Sequence, residues 1–94
     1  MASWGNPPSD TSAADLERLA AGLDRQHYAV SLVSSAGRRP HLHITNRQAA
    51  VMTEDVYTGD GWYWFGWAER IAPVTDVRAA AEKITRVLRA LDAG

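Results

Sequence analysis

The chain has 94 residues, a formal net charge of −1, no cysteine, and hydrophobic and charged fractions of 46% and 22%. That length supports one modest core rather than two, and that composition belongs to folded chains rather than disordered ones. The charge excludes a globally basic nucleic-acid binder, and the lack of cysteine excludes a disulfide framework, a thiolate metal site and a thiol nucleophile.

Residues 1–11, opening "MASWGNPPSD", are rich in Gly, Asn, Pro and Ser and read as a flexible leader whose apolar feature is Trp4. There is no basic stretch followed by an apolar run, as a signal peptide requires. No window approaches the roughly 18 apolar residues that span a bilayer. The expected location is cytoplasmic, and residues 12–94 are expected to form a single domain.

In "SAADLERLAAGLDRQ" the residues Leu16, Leu19, Ala20 and Leu23 recur at three- and four-residue spacing, which predicts a helix from about Ala13 to about Arg25. Ser12 is the expected cap, with Asp15 at the positive end of the helix dipole. "HYAVSLVS" is β-branched and aromatic, with Tyr28, Val30 and Leu32 on one face of a strand. After a glycine-containing loop, "HLHIT" alternates Leu42 and Ile44 against His41, His43 and Thr45. "VMTEDVYT" and "WYWFGWAERI" flank Asp60-Gly61, which is hairpin turn chemistry. A final helix follows Pro73, capped by Thr75 or Asp76 and striped by Val77, Ala80, Ala81, Ile84, Val87, Leu88 and Leu91.

Helix, antiparallel strands, helix is the order of an α+β fold. The expected form is a two-layer sandwich in which an antiparallel sheet of three to four strands carries both helices on one face. The other face is then left for water, a ligand or another chain.

The segment "GDGWYWFGWAERIAP" holds three of the four tryptophans. Strand alternation sends Tyr63, Phe65, Trp67 and Ile71 one way, and Trp62, Trp64, Ala68 and Arg70 the other. Placing the first set under the helices leaves Trp62 and Trp64 on the outer face with His27, His41 and His43. Paired indoles on an uncovered sheet form an apolar patch of the kind that binds a partner. Gly66 is a place where a bulge would change the phase.

Between Asp24 and Glu54 there is no acid, while Arg25, Arg38, Arg39, Arg47 and all three histidines fall in that interval. Arg38, Arg39 and Arg47 are therefore candidate anion-binding residues, joined by the histidines as these protonate near pH 6. His41 and His43 share a strand face, and His27 on the next strand would complete a three-nitrogen metal site. No acid lies nearby in sequence to orient the imidazoles, so no metal ligand or cofactor is assigned. No nucleophile–base motif, zinc-protease motif or phosphate-binding glycine loop occurs, so no catalytic residue is assigned.

The expected function is a non-enzymatic protein-interaction module, a small regulatory or chaperone-like protein that grips a partner, or itself as a homodimer, through Trp62, Trp64, His41 and His43. The alternative is anion, nucleic-acid or small-ligand binding on the same aromatic and Arg/His surface, with bases stacking on the indoles. No membrane partner is expected.

The run from "PHLHITNR" through "EDVYTGDGWYWFGWAERIAP" to "AAAEKITRVLRAL" resembles small actinobacterial proteins of unknown function, over most of residues 16 to 91. That resemblance implies a bacterial cytosolic accessory protein and assigns no site residues. At the level of fold, the leading "LERLAAGL" helix before an antiparallel sheet and closing helix is similar to secretion-chaperone-like domains, which are dimeric and bind proteins. The chain lacks the further strands and helix of that pattern.

Overall fold

The structure, a computed structural model, describes residues 9–34, 37 and 39–93. In chain order the elements are α1 (Ser9–Gly22), β1 (Tyr28–Val33), β2 (His41–Asn46), β3 (Ala49–Gly59), β4 (Trp62–Phe65), β5 (Arg70–Pro73) and α2 (Val77–Ala93). The strands form one antiparallel sheet in the order β1-β2-β3-β4-β5. The fold is α+β, with five strands rather than three to four.

The extra strand comes from the aromatic segment, which is not one strand but two. The Phe65 N–H donates to the Glu69 carbonyl at 2.8 Å and the Ala68 N–H to the Phe65 carbonyl at 2.9 Å, closing a turn in which Ala68 adopts φ 70°. The chain reverses there, so β5 pairs back on β4. Tyr63 faces Ala72 and Trp64 faces Arg70, leaving Ile71 as the additional residue of a bulge. The bulge turns both Ile71 and Ala72 into the core. Trp67 lies in the turn, 53% exposed, instead of under the helices. Its indole stacks on Phe65 with centroids 4.9 Å apart, and its Nε1–H donates to Glu54 at 2.9 Å.

The α1 helix starts at Ser9, inside the stretch read as leader, so Ser12 is not its cap. Asp15 is buried nearly two turns in and paired with Arg18. Trp4 lies outside the described residues. The helix stops at Gly22, before the predicted Arg25, because the following turn belongs to Asp24, whose carbonyl accepts from the N–H groups of His27 and Tyr28. A Cβ on Gly22 would stand 3.0 Å from Val77 Cγ1, so the end of α1 meets the start of α2 where no larger residue fits without displacing Val77. Asp76 caps α2, its Oδ1 accepting from the Ala79 N–H at 3.1 Å.

Leu16, Leu19 and Leu23 of the first helical segment, Ala80, Ile84 and Leu88 of α2, and Tyr28, Leu42, Ile44, Val56, Tyr63 and Phe65 of the sheet form one buried cluster. The phase read from alternation therefore holds for Tyr63 and Phe65 inward. Along β1 burial fades, from Tyr28 buried to Leu32 37% exposed.

Asp60 and Gly61 form the β3–β4 turn with φ 55° and 79°, both in the left-handed region. This is the two-residue geometry whose twist matches the flanking strands. A side chain at Gly61 would meet nothing within 4 Å. Gly61→Ala is thus expected to cost only the backbone penalty, about 1 kcal/mol, seen as a small fall in the thermal midpoint by circular dichroism.

Candidate functional site on the outer sheet face

The pairing register places one residue from every strand in a single row across the face away from the core. Val33 of β1 faces His41 of β2, Tyr57 of β3 faces Trp64 of β4, and Trp64 faces Arg70 of β5. His41 and Tyr57 join the two halves by stacking, with centroids 4.9 Å apart and planes 28° off parallel. Trp62 lies one step along β4, and the Arg70 guanidinium lies over both indoles, 4.7 Å from the Trp62 ring and 5.9 Å from the Trp64 ring. Both tryptophans are half-buried. An arginine over an indole shields the ring from water while keeping its own charge solvated.

Beside the middle of the row Arg39 serves the backbone. Continuing the Leu42–Val56 register sets Pro40 opposite Thr58, and proline has no N–H to offer. The Arg39 guanidinium donates to the Thr58 carbonyl in its place, while lying 5.5 Å from the Tyr57 ring centre. Trp64 Nε1–H donates to the Gly59 carbonyl at 2.8 Å, which draws the indole over the start of the hairpin turn. Arg39, Tyr57, Asp60, Trp64 and the small residues Gly59 and Gly66 line a shallow recess of about 400 Å³. The His41 Nδ1 atom is buried and has no hydrogen-bond partner among the described residues.

His43 stands one step along β2 on the same face. Its Nδ1 lies 2.7 Å from Asp55 Oδ1 across the strand pair, and its Nε2 lies 3.2 Å from the Thr53 hydroxyl. The carboxylate that sequence proximity did not supply comes from the neighbouring strand.

The four residues expected to bind a partner, Trp62, Trp64, His41 and His43, are thus brought onto one face. The expected anion set is not gathered. Arg39 precedes β2 and Arg47 follows it, which separates them by roughly 25 Å at strand rise; Arg38 lies outside the described residues. Arg47 is occupied at the far end, donating to the Arg25 carbonyl at 2.8 Å.

His27 is also remote from His41, since it lies across from Arg47 and bonds instead to Asp24, 2.5 Å away. Among the described residues no three His, Asp or Glu side chains are arranged to hold a metal ion. Glu69, next to Arg70 in sequence, pairs with Lys83 at 3.2 Å. Sequence reading missed Tyr57, and it placed Arg70 on the side of Trp62 and Trp64 without assigning it to the site. Tyr57 could have been found from the alternation of "EDVYT", but Arg70 reaches the indoles only because the chain turns back at Gly66.

Asp24 is held below its ordinary value of 3.8, first by the hydrogen bond from His27 and then by the Gln26 N–H. Such bonds favour the ionised form. A lowered folded-state value means that the stabilisation is present above the unfolded-chain value and is lost as pH falls through the folded one. A carboxyl-carbon NMR titration is expected to place Asp24 below the usual aspartate range, and His27→Ala to return it upward.

No family model, curated protein or solved structure matches this chain. The geometry of the face therefore carries the functional argument. A larger recess of about 760 Å³ runs along α2 beside Gly22, Asp24 and Val77, rimmed by Arg78, Glu82, Arg86 and Arg89. It is open, mixed in charge and without an aromatic, whereas the outer sheet face joins aromatics and cations in one continuous row.

Proposed function

We propose that this is a non-enzymatic interaction module that binds a protein partner, or a second copy of itself, through the outer face of its sheet. The two-layer arrangement, with both helices against one sheet face, is part of the proposal, as are a cytoplasmic setting and the role of a small bacterial accessory protein. The observation that supports it most is the unbroken row His41, Tyr57, Trp64 and Arg70, with Trp62 beside it. Trp, Tyr and Arg are the residue types that dominate the centres of protein interfaces, because the aromatics cover a large area with few torsions to freeze and Arg adds a planar, multiply donating group that stacks on them.

A second reading is favoured by the recess between Arg39, Tyr57 and Trp64, whose volume is that of a small-ligand site. Against a polyanion, Asp55 and Asp60 share the region and Arg47 does not.

The chain contains no cysteine, so a single introduced thiol can carry a photo-crosslinker. Thr53→Cys places it on the outer face, two steps along β3 from Tyr57, and Glu82→Cys, exposed on α2, serves as control. Crosslinks from position 53 and not from position 82, lost on adding Trp64→Ala, are the expected result. Equal capture from both positions would count against the outer face.

A further inference from the structure

We infer that β1 is the edge at which a second copy of this chain adds, antiparallel and about a two-fold axis at Val30, to make one continuous sheet. This goes beyond the face reading, because it uses main-chain groups at the rim and leaves the outer face open.

β1 and β5 are the two edges of the sheet. β5 has four residues and ends in Pro73, which blunts it. β1, "YAVSLV", has six residues, no charge and no proline, and its far end exposes Leu32 and Val33, each 37% accessible. None of the usual devices that keep an edge from pairing is present within it.

The hydrogen-bond parity says which groups are free. The Arg47 N–H donates to the His27 carbonyl at 2.9 Å, so odd-numbered residues of this segment turn their N–H and C=O toward β2, and even-numbered ones turn theirs outward. The Tyr28 N–H is taken by the Asp24 carbonyl at 2.9 Å. The Val30 and Leu32 N–H groups and the Tyr28, Val30 and Leu32 carbonyls then face outward, with no hydrogen-bond partner among the described residues.

This set is self-complementary. With Val30 opposite the second copy's Val30, each donates to the other, and each Leu32 N–H meets the other copy's Tyr28 carbonyl. The Leu32 carbonyl remains at the exposed strand end, where water reaches it. On the core side Leu32 would pack against the second copy's Tyr28, covering apolar surface that the helices leave open. On the outer side Ala29 would face Ser31 and Val33 would face His27. No like charges meet anywhere in this register. An edge this short buries less than the ~1,600 Å² of a standard interface, so the association is weak and concentration-dependent.

The test is light scattering from about 10 to about 500 µM, a span chosen for a small interface, with amide hydrogen exchange along the same series. The mass is expected to rise toward twice that of the chain, with exchange at Val30 and Leu32 slowing at least tenfold while Ser31, bonded to β2 throughout, does not change. Leu32→Pro removes an outward donor and the leucine side chain but no hydrogen bond to β2, and is expected to hold the protein monomeric with an unchanged far-ultraviolet spectrum. Leu32→Lys repeats the test if the proline variant fails to fold. Trp64→Ala is expected to leave this association intact, which separates the edge from the face. A constant mass, protection at Val30 that does not depend on concentration, or association lost in Trp64→Ala but kept in Leu32→Lys would each overturn the inference.

Discussion

Tyr63→Ala is expected to lower the stability of the domain by about 3–5 kcal/mol, the range for truncating a fully buried aromatic. Tyr63 has no exposed surface, sits at the centre of the cluster that joins both helices to the sheet, and donates its hydroxyl to the Asp15 carbonyl of α1 at 2.6 Å. Against a total of ~5–15 kcal/mol for a small domain, that loss shifts much of the population toward the unfolded state. Urea unfolding followed by circular dichroism measures it directly, and a midpoint near that of the native chain would refute the assignment of Tyr63 as the central core residue.

Tyr63→Phe keeps the ring and removes only the bond, so about 0.5–1.5 kcal/mol is expected. The pair of variants also carries a pH dependence. Burial pushes the Tyr63 phenol above its ordinary value of 10.0, with the nearby Asp15 adding to the effect and Arg18 opposing it. A raised folded-state value means that the stabilisation is complete below the unfolded-chain value and is lost as pH rises through the folded one. The native chain should therefore lose stability above pH 10 more steeply than Tyr63→Phe does.

Trp64→Ala is expected to act on binding more than on folding. Its indole is half-buried, tied to the Gly59 carbonyl and covered on one side by Arg70. Removing a central interface tryptophan costs ~2 kcal/mol or more, which weakens a partner's affinity by roughly 30-fold. Because Trp64 lies outside the core cluster, its unfolding midpoint should fall by less than that of Tyr63→Ala. Trp64→Phe separates the contributions, since it retains aromatic area and loses the bond to Gly59. Titration of the captured partner against the three proteins gives the ranking native, Trp64→Phe, Trp64→Ala. If Trp64→Ala binds like the native chain, or unfolds as Tyr63→Ala does, the outer face is not the binding surface.

What the sequence determined by itself was local chemistry of short range. The stripe from Val77 to Leu88 and a cap at Thr75 or Asp76, which the structure assigns to Asp76, follow from helix periodicity and an unsatisfied helix end, and the Asp60-Gly61 hairpin follows from two residue types that tolerate positive φ. Strand alternation alone separated Tyr63 and Phe65 from Trp62 and Trp64, and Leu42 and Ile44 from His41 and His43.

Tertiary structure decided everything that depends on what lies across a strand. The turn at Gly66 rests on Ala68 in a left-handed conformation that its residue type does not favour, so β5 and the placement of Trp67 were illegible. The acid-free interval looked like one basic patch, but an extended six-residue strand holds the residues at its two ends apart by its whole length, which parts Arg39 from Arg47 along β2 and His27 from His41 along β1. The same pairing brings Asp55 to His43 and Arg70 to the indoles, and sets Pro40 against a carbonyl that Arg39 must then satisfy. Register joins residues distant in the chain, and side-chain chemistry read one residue at a time contains no record of register.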